Sequence, residues 1–154
     1  MKIRPAKVSD VKEMHKLVEF YADRKEMLHR SLNSIYENIQ EYIVAQDDNG
    51  KIAACGALHV SWDNLAEVKA LAVSEEYTRQ GLGTKIVLQL EENAKTLGIG
   101  KVFSLSFKPD FFINKLGYHV IPKETLPHKI WNECINCHLF PDCGEVPLLK
   151  ELTQ

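Results

Sequence analysis

Arg79, Gln80, Gly81, Leu82, Gly83 and Thr84 form a run in which two glycines flank one leucine, directly ahead of a helical pattern. An apolar stretch, LAEVKALAV, precedes it. A strand feeding a glycine turn and a helix is an anion-binding device. First-turn N–H groups lack intrahelical partners, the helix dipole adds positive character there, and glycine admits a phosphate without a Cβ. The run is not a Walker A loop, because no Gly-Lys-Ser/Thr closes it. Nor is it a dinucleotide fingerprint, whose third glycine would fall on Ile86. Taken alone, the Gly-x-Gly is equally well explained as a tight turn packing a helix on a strand.

Glu67 is the lone carboxylate inside that apolar stretch. Burial raises a carboxyl pKa, and a carboxylate titrating near neutrality is a better general base. The competing explanation is an ion pair with Lys69, two residues on and on the same strand face. Cys134, Cys137 and Cys143 fall within ten residues. Their C-x2-C step suits zinc, with His138, His128 or an acid as fourth ligand. No second C-x-x-C pair exists, and a reduced cluster packing the tail onto the domain carries more weight than a zinc site.

These residues need a scaffold. KIRPA reads as a first strand, and SDVKEMHKLVEFY as a helix capped by Asp10 with Glu13 three residues on. A second helical pattern runs through Ile35 and Ile39. YIVAQ and KIAACGALHV read as a hairpin turning on Asn49-Gly50, whose residues supply the positive φ of a tight turn. LAEVKALAV is apolar on both faces and so central. TKIVLQLEENAKTLG is a helix stopping at Gly98. KVFSLSF is a strand, DFFINKLG a short helix and YHVIP a last strand. The order is β, two helices, a β meander, then β-α-β-α-β: an α/β (α+β) domain with a mixed sheet. One domain is expected over 1–154, with a cysteine-containing tail from about 122. The net charge of −2 argues against nucleic acid as a partner. No apolar run approaches a membrane span, and MKIRPAKVSD lacks the apolar core of a signal peptide, so a cytoplasmic protein is expected.

LAVSEEYTRQGLGTKIV resembles the acetyl-CoA loop of the GCN5-related N-acetyltransferase (GNAT) family, and FFINKLGY resembles that family's short helix and its x-Lys-x-Gly-Phe/Tyr ending. The resemblance reaches to about Ile121. It implies a mostly antiparallel sheet flanked by helices, with a β-α-β acetyl-CoA core. The apolar triplet is Leu71, Ala72 and Val73. The pyrophosphate of coenzyme A would sit on the 79–84 amides, and its pantetheine arm where the strand ending at Val73 splays from FSLSF. Glu67 would be the base, commonly through a water. Two positions depart: the usual Arg/Gln falls on Thr78, and Ile113 stands where many members carry a tyrosine acid. The acid is left unassigned.

LHRSLNSIYENIQEY, CGALHVSWDNLAEVKALAV and FSLSFKPDFFINKLGY are together similar to the acetyltransferase domain of N-acetylglutamate synthases, in the short form without an amino-acid-kinase domain. That similarity implies acetyl transfer to the α-amine of glutamate, the first step of arginine biosynthesis. Arg30 is then the leading carboxylate clamp and Lys69 the second, while Lys25 reads as a solvated loop residue and His59 and Trp62 as packing residues. A homodimer is left open. The alternatives are a GNAT acting on another small amine or a protein amine, and a non-catalytic coenzyme A-binding module.

Overall fold

The computed structural model describes residues 1–127 and 145–153. The backbone builds one seven-stranded sheet in the order β1-β2-β3-β4-β5-β7-β6. The strands are β1 (Lys2–Pro5), β2 (Tyr42–Gln46), β3 (Ile52–Trp62), β4 (Leu65–Val73), β5 (Lys101–Ser106), β6 (His119–Val120) and β7 (Val146–Glu151). All neighbours are antiparallel except β4 and β5. The helices are α1 (Val11–Ala22), α2 (Leu32–Glu37), α3 (Leu82–Thr96) and α4 (Pro109–Leu116).

Each sheet face has its own apolar core. The 3.6-residue stripe of α3, Ile86, Val87, Leu90 and Ala94, packs with Leu58, Ala66, Val68 and Val102. Val11, Met14 and Val18 of α1, with Ile35 of α2, pack with Val44, Cys55, Ala57, Ala70 and Ala72. Gly98 has φ 84 and follows the α3 C-cap Leu97, the left-handed stop expected there.

Three expectations change. YHVIP is not the last strand: β7, inside the segment read as a tail, pairs with β5 over six residues from Lys101–Glu151 to Ser106–Val146. Pro147 masks this strand in the sequence, because proline cannot donate to a ladder. Here its carbonyl accepts from Ile121 N at 3.1 Å. Asp10 does not form a capping box with Glu13. Its carboxylate accepts from Lys7 N at 2.7 Å and from the Arg4 guanidinium at 2.8 and 3.0 Å, while Glu13 Oε2 accepts from Ile52 N at 3.2 Å. An ion pair with β1 and a backbone hydrogen bond from β3 have displaced the local cap. At the β2–β3 turn only Gly50 takes positive φ, and the Asp47 carboxylate accepts the Asn49 and Lys51 amides at 2.9 Å each.

Candidate active site

The site begins with a defect in β4. Ala57 pairs with Lys69 but Cys55 pairs with Ala72, so Ala70 and Leu71 together face Gly56. Ala70 carries the extra turn at φ 56. A non-glycine residue there costs roughly 1–2 kcal/mol, a strain the surrounding sheet must hold in place. The bulge exchanges faces: Ala66 and Val68 pack on the α3 side, Ala70 and Ala72 on the α1 side. Gly56 permits the close approach opposite, since a Cβ on it would lie 2.6 Å from Ile86 Cγ2.

The second element is a parting of strands. β4 and β5 pair only at Ala66–Val102 and Glu67–Phe103. Beyond that they diverge around a cleft of about 900 Å³. Unpaired strand backbone on such a wall can take up an extended amide-bearing chain by the same hydrogen bonds a third strand would make.

The third element is the loop from β4 into α3. Arg79 has φ 69, and Gly81, the N-cap of α3, has φ 73 and ψ 15. Left-handed residues separated by one position turn successive amides toward a common point, an anion-binding concavity. No side chain caps α3 among the described residues, and its first intrahelical bond is Lys85 N to the Gly81 carbonyl at 3.0 Å. The amides of Leu82, Gly83 and Thr84 are therefore the donors at the cleft mouth. The two glycines serve different ends. A Cβ on Gly81 would meet nothing within 4 Å, so backbone conformation requires glycine; a Cβ on Gly83 would lie 3.2 Å from Phe111 Cζ, so packing requires it.

Of the residues singled out in the sequence, Glu67, Lys69, Leu71, Ala72, Val73, Arg79, Gly81, Leu82, Gly83, Thr84 and Arg30 all line this one cleft. Gln80 is exposed and does not. Glu67 and Lys69 are half-buried on one β4 face. Arg30 is half-buried, and its Nε is buried with no hydrogen-bond partner among the described residues. Its backbone N–H donates to Glu19 Oε1 at 3.2 Å. Burial pushes the nearby Tyr42 hydroxyl up to about 12, with the Arg30 charge working the other way. Lys25 is exposed and off the cleft, as its reading as a loop residue requires. Cys134, Cys137 and Cys143 lie outside the described residues.

The sequence reading missed several lining residues. Tyr21 closes the end of the cleft by donating its hydroxyl to the Val73 carbonyl. Its place in the α1 stripe marked it only as a core residue. Ser104 and Ser106 of β5 and Lys108 and Lys115 also line the wall. Ile113 is 38% exposed and absent from it. Trp62, expected to pack, is 65% exposed, and His59 Nδ1 lies 2.6 Å from Glu41 Oε2. Although the chain carries a net charge of −2, the cleft lining carries five Lys/Arg side chains (Arg30, Lys69, Arg79, Lys108, Lys115) against three carboxylates (Glu26, Glu67, Glu145).

A bulged strand, a parallel partner parting from it and an uncapped glycine loop define an enzyme fold that holds an anionic, extended cosubstrate against a sheet. Residues 9–118 match the model of the Acetyltransferase (GNAT) family, and the chain belongs to that family. An uncharacterized N-acetyltransferase of Chlorobaculum tepidum is 35% identical over 97% of this chain and 96% of its own length. An amino-acid acetyltransferase of Mycobacterium tuberculosis is 41% identical over 71% of this chain, which spans 64% of that relative. Among solved structures, a Mycobacterium tuberculosis protein in complex with CoA superposes with a TM-score of 0.86 at 31% identity, covering 99% of this chain and all of that one. The N-acetylglutamate synthase of Neisseria gonorrhoeae, complexed with coenzyme A and N-acetyl-glutamate, superposes with a TM-score of 0.90 at 22% identity. This chain covers 35% of it, and the likeness is one of fold. The protein is an acetyl-CoA-dependent N-acetyltransferase related to the amino-acid acetyltransferases. Among the described residues no helix is long and apolar enough to cross a membrane.

Proposed function

We propose that the protein transfers the acetyl group of acetyl-CoA to the α-amine of an acidic amino acid, glutamate. The observation that carries this reading is Arg30: a cation in the cleft lining whose Nε is buried without a partner among the described residues. A buried unpaired donor is costly, and a substrate carboxylate would satisfy it with a charge-assisted bond. Lys69 on β4 offers a second cation for the other carboxylate. The name of the Mycobacterium tuberculosis relative, an amino-acid acetyltransferase, supports the substrate class.

The pyrophosphate rests on the amides of Leu82, Gly83 and Thr84, and the pantetheine arm follows the parted edge of β4. Glu67 accepts a proton from the acceptor ammonium, directly or through one water. The freed amine attacks the thioester carbonyl, the C–S bond breaks, and the thiolate takes up a proton. Arg30→Ala should raise the glutamate KM about tenfold to a hundredfold, the equivalent of roughly 1.5–3 kcal/mol, and leave the acetyl-CoA KM within twofold. Arg30→Lys should recover only part, since lysine cannot form the planar fork. An unchanged glutamate KM in Arg30→Ala would remove Arg30 from the clamp.

A further inference from the structure

At the edge of the cleft, where His29 is one of the lining residues, three donor groups converge beside the end of α1. Glu19 and Asp23 stand one turn apart, Asp23 as the α1 C-cap, and His29 returns to them from the following loop. One ligand-capable atom from each lies within 4.8 Å of the others. His29 Nδ1 is 2.6 Å from Glu19 Oε2, and His15 Nε2, one turn earlier, is 3.8 Å from Glu19 Oε1. We propose that Glu19, Asp23 and His29 form a site for a divalent transition metal of the zinc class that fastens the loop bearing Arg30 to α1.

The donor set is right for that class: one imidazole and two carboxylates, with one position left for a solvent ligand. Bonds of about 2.0–2.1 Å in a tetrahedron separate ligand atoms by roughly 3.3 Å. The 2.6 Å pair must open by less than 1 Å, and since no separation exceeds 4.8 Å, none must close by more than about 1.5 Å. Half-exposed side chains make such movements by rotation about χ angles, without backbone change.

The geometry couples this site to the cleft. Glu19 Oε1 accepts from the Arg30 amide at 3.2 Å while Oε2 faces His29. A metal on Oε2 therefore leaves the Arg30 contact in place and replaces the His29–Glu19 hydrogen bond by coordination that also engages Asp23. The loop between carries strain that such an anchor would hold, since Lys25 sits at φ 60.

The test is a Zn²⁺ titration by calorimetry on the full chain with Cys134, Cys137 and Cys143 replaced by serine, so that tail thiols do not compete. One Zn²⁺ should bind. His29→Asn, which keeps an N–H for Glu19 but loses the imidazole, and Asp23→Asn should each weaken binding at least about tenfold. Zn²⁺ should slow amide exchange across residues 24–31 in the serine-substituted chain and not in its His29→Asn variant. Absence of saturable binding below about 1 mM, an affinity in either variant equal to that of the serine-substituted parent, or exchange unmoved by bound Zn²⁺ would each overturn the proposal. Neither measurement involves an acceptor amine, so failure here leaves the glutamate assignment standing.

Discussion

Glu67 on β4 stands opposite Phe103 on β5, the last pair before the two parallel strands part. The carboxylate is thus fixed in register by a paired strand, while the residues after it line open space. A base at that point can be rigid even though the cleft beside it must admit two substrates. Glu67→Gln should lower kcat by about 10²–10⁴-fold and change coenzyme A affinity little. The acid limb of the kcat/KM–pH profile should disappear with it. Steady-state kinetics showing turnover within a few-fold of the parent at every pH would exclude the role.

The two loop glycines should fail in different ways. Gly81→Ala keeps open space but pays the left-handed penalty of roughly 1 kcal/mol, and should weaken coenzyme A about fivefold. Gly81→Val should be far worse, because a β-branched residue is a true outlier at φ 73. Gly83→Val drives a side chain into Phe111 and should shift the loop amides off the pyrophosphate. Calorimetry with coenzyme A on cooperatively folding variants checks all three; unchanged affinity in both valine variants would contradict the loop assignment.

Acid stability should report the Arg4–Asp10 pair. The hydrogen-bonded Arg4 guanidinium, chiefly, holds the Asp10 carboxyl below its ordinary value, against the effect of burial. A depressed folded pKa stabilises the protein above the unfolded value, near 3.9, and that contribution is lost as pH falls through the folded one. The stability gap between parent and Asp10→Asn should therefore be constant at neutral pH and shrink below about pH 4. Urea unfolding at a series of pH values measures it, and a gap independent of pH down to 2 would refute the pairing.

Strand β7 is tied to α3 by one buried carboxylate. Glu91 accepts from the Tyr118 hydroxyl and from Lys150 Nζ, both at 2.9 Å. Glu91→Ala strands both donors and should cost about 2–3 kcal/mol, the low end for a buried pair because Lys150 is partly exposed. Glu91→Leu with Lys150→Met should recover part of the loss. Equal unfolding midpoints for parent and Glu91→Ala would show that the network adds nothing.

The sequence made the glycine loop, α3 and its Gly98 stop readable because local periodicity and turn chemistry agree there with the tertiary structure. Pro147 hid β7 by arguing locally against a strand that only its neighbours make possible. Ala70 hid the bulge, since alanine carries no mark of a left-handed backbone and a strand apolar on both faces, as LAEVKALAV is, shows no break in pattern where the faces exchange. Asp10 and Glu13 have the spacing of a cap, yet Arg4 and the Ile52 amide claim them from other strands. Arg30 could be named from its segment, but the unpaired burial of its Nε is a property of packing alone.

The most direct measurement is an acceptor screen that follows free thiol release from acetyl-CoA over the twenty amino acids, representative polyamines and N-terminal peptides. Glutamate should give the highest kcat/KM, with aspartate and glutamine below it, because each alters one of the two carboxylate contacts proposed for Arg30 and Lys69. A higher kcat/KM for an uncharged amine, a polyamine or a peptide would contradict the glutamate assignment while leaving an N-acetyltransferase of another specificity.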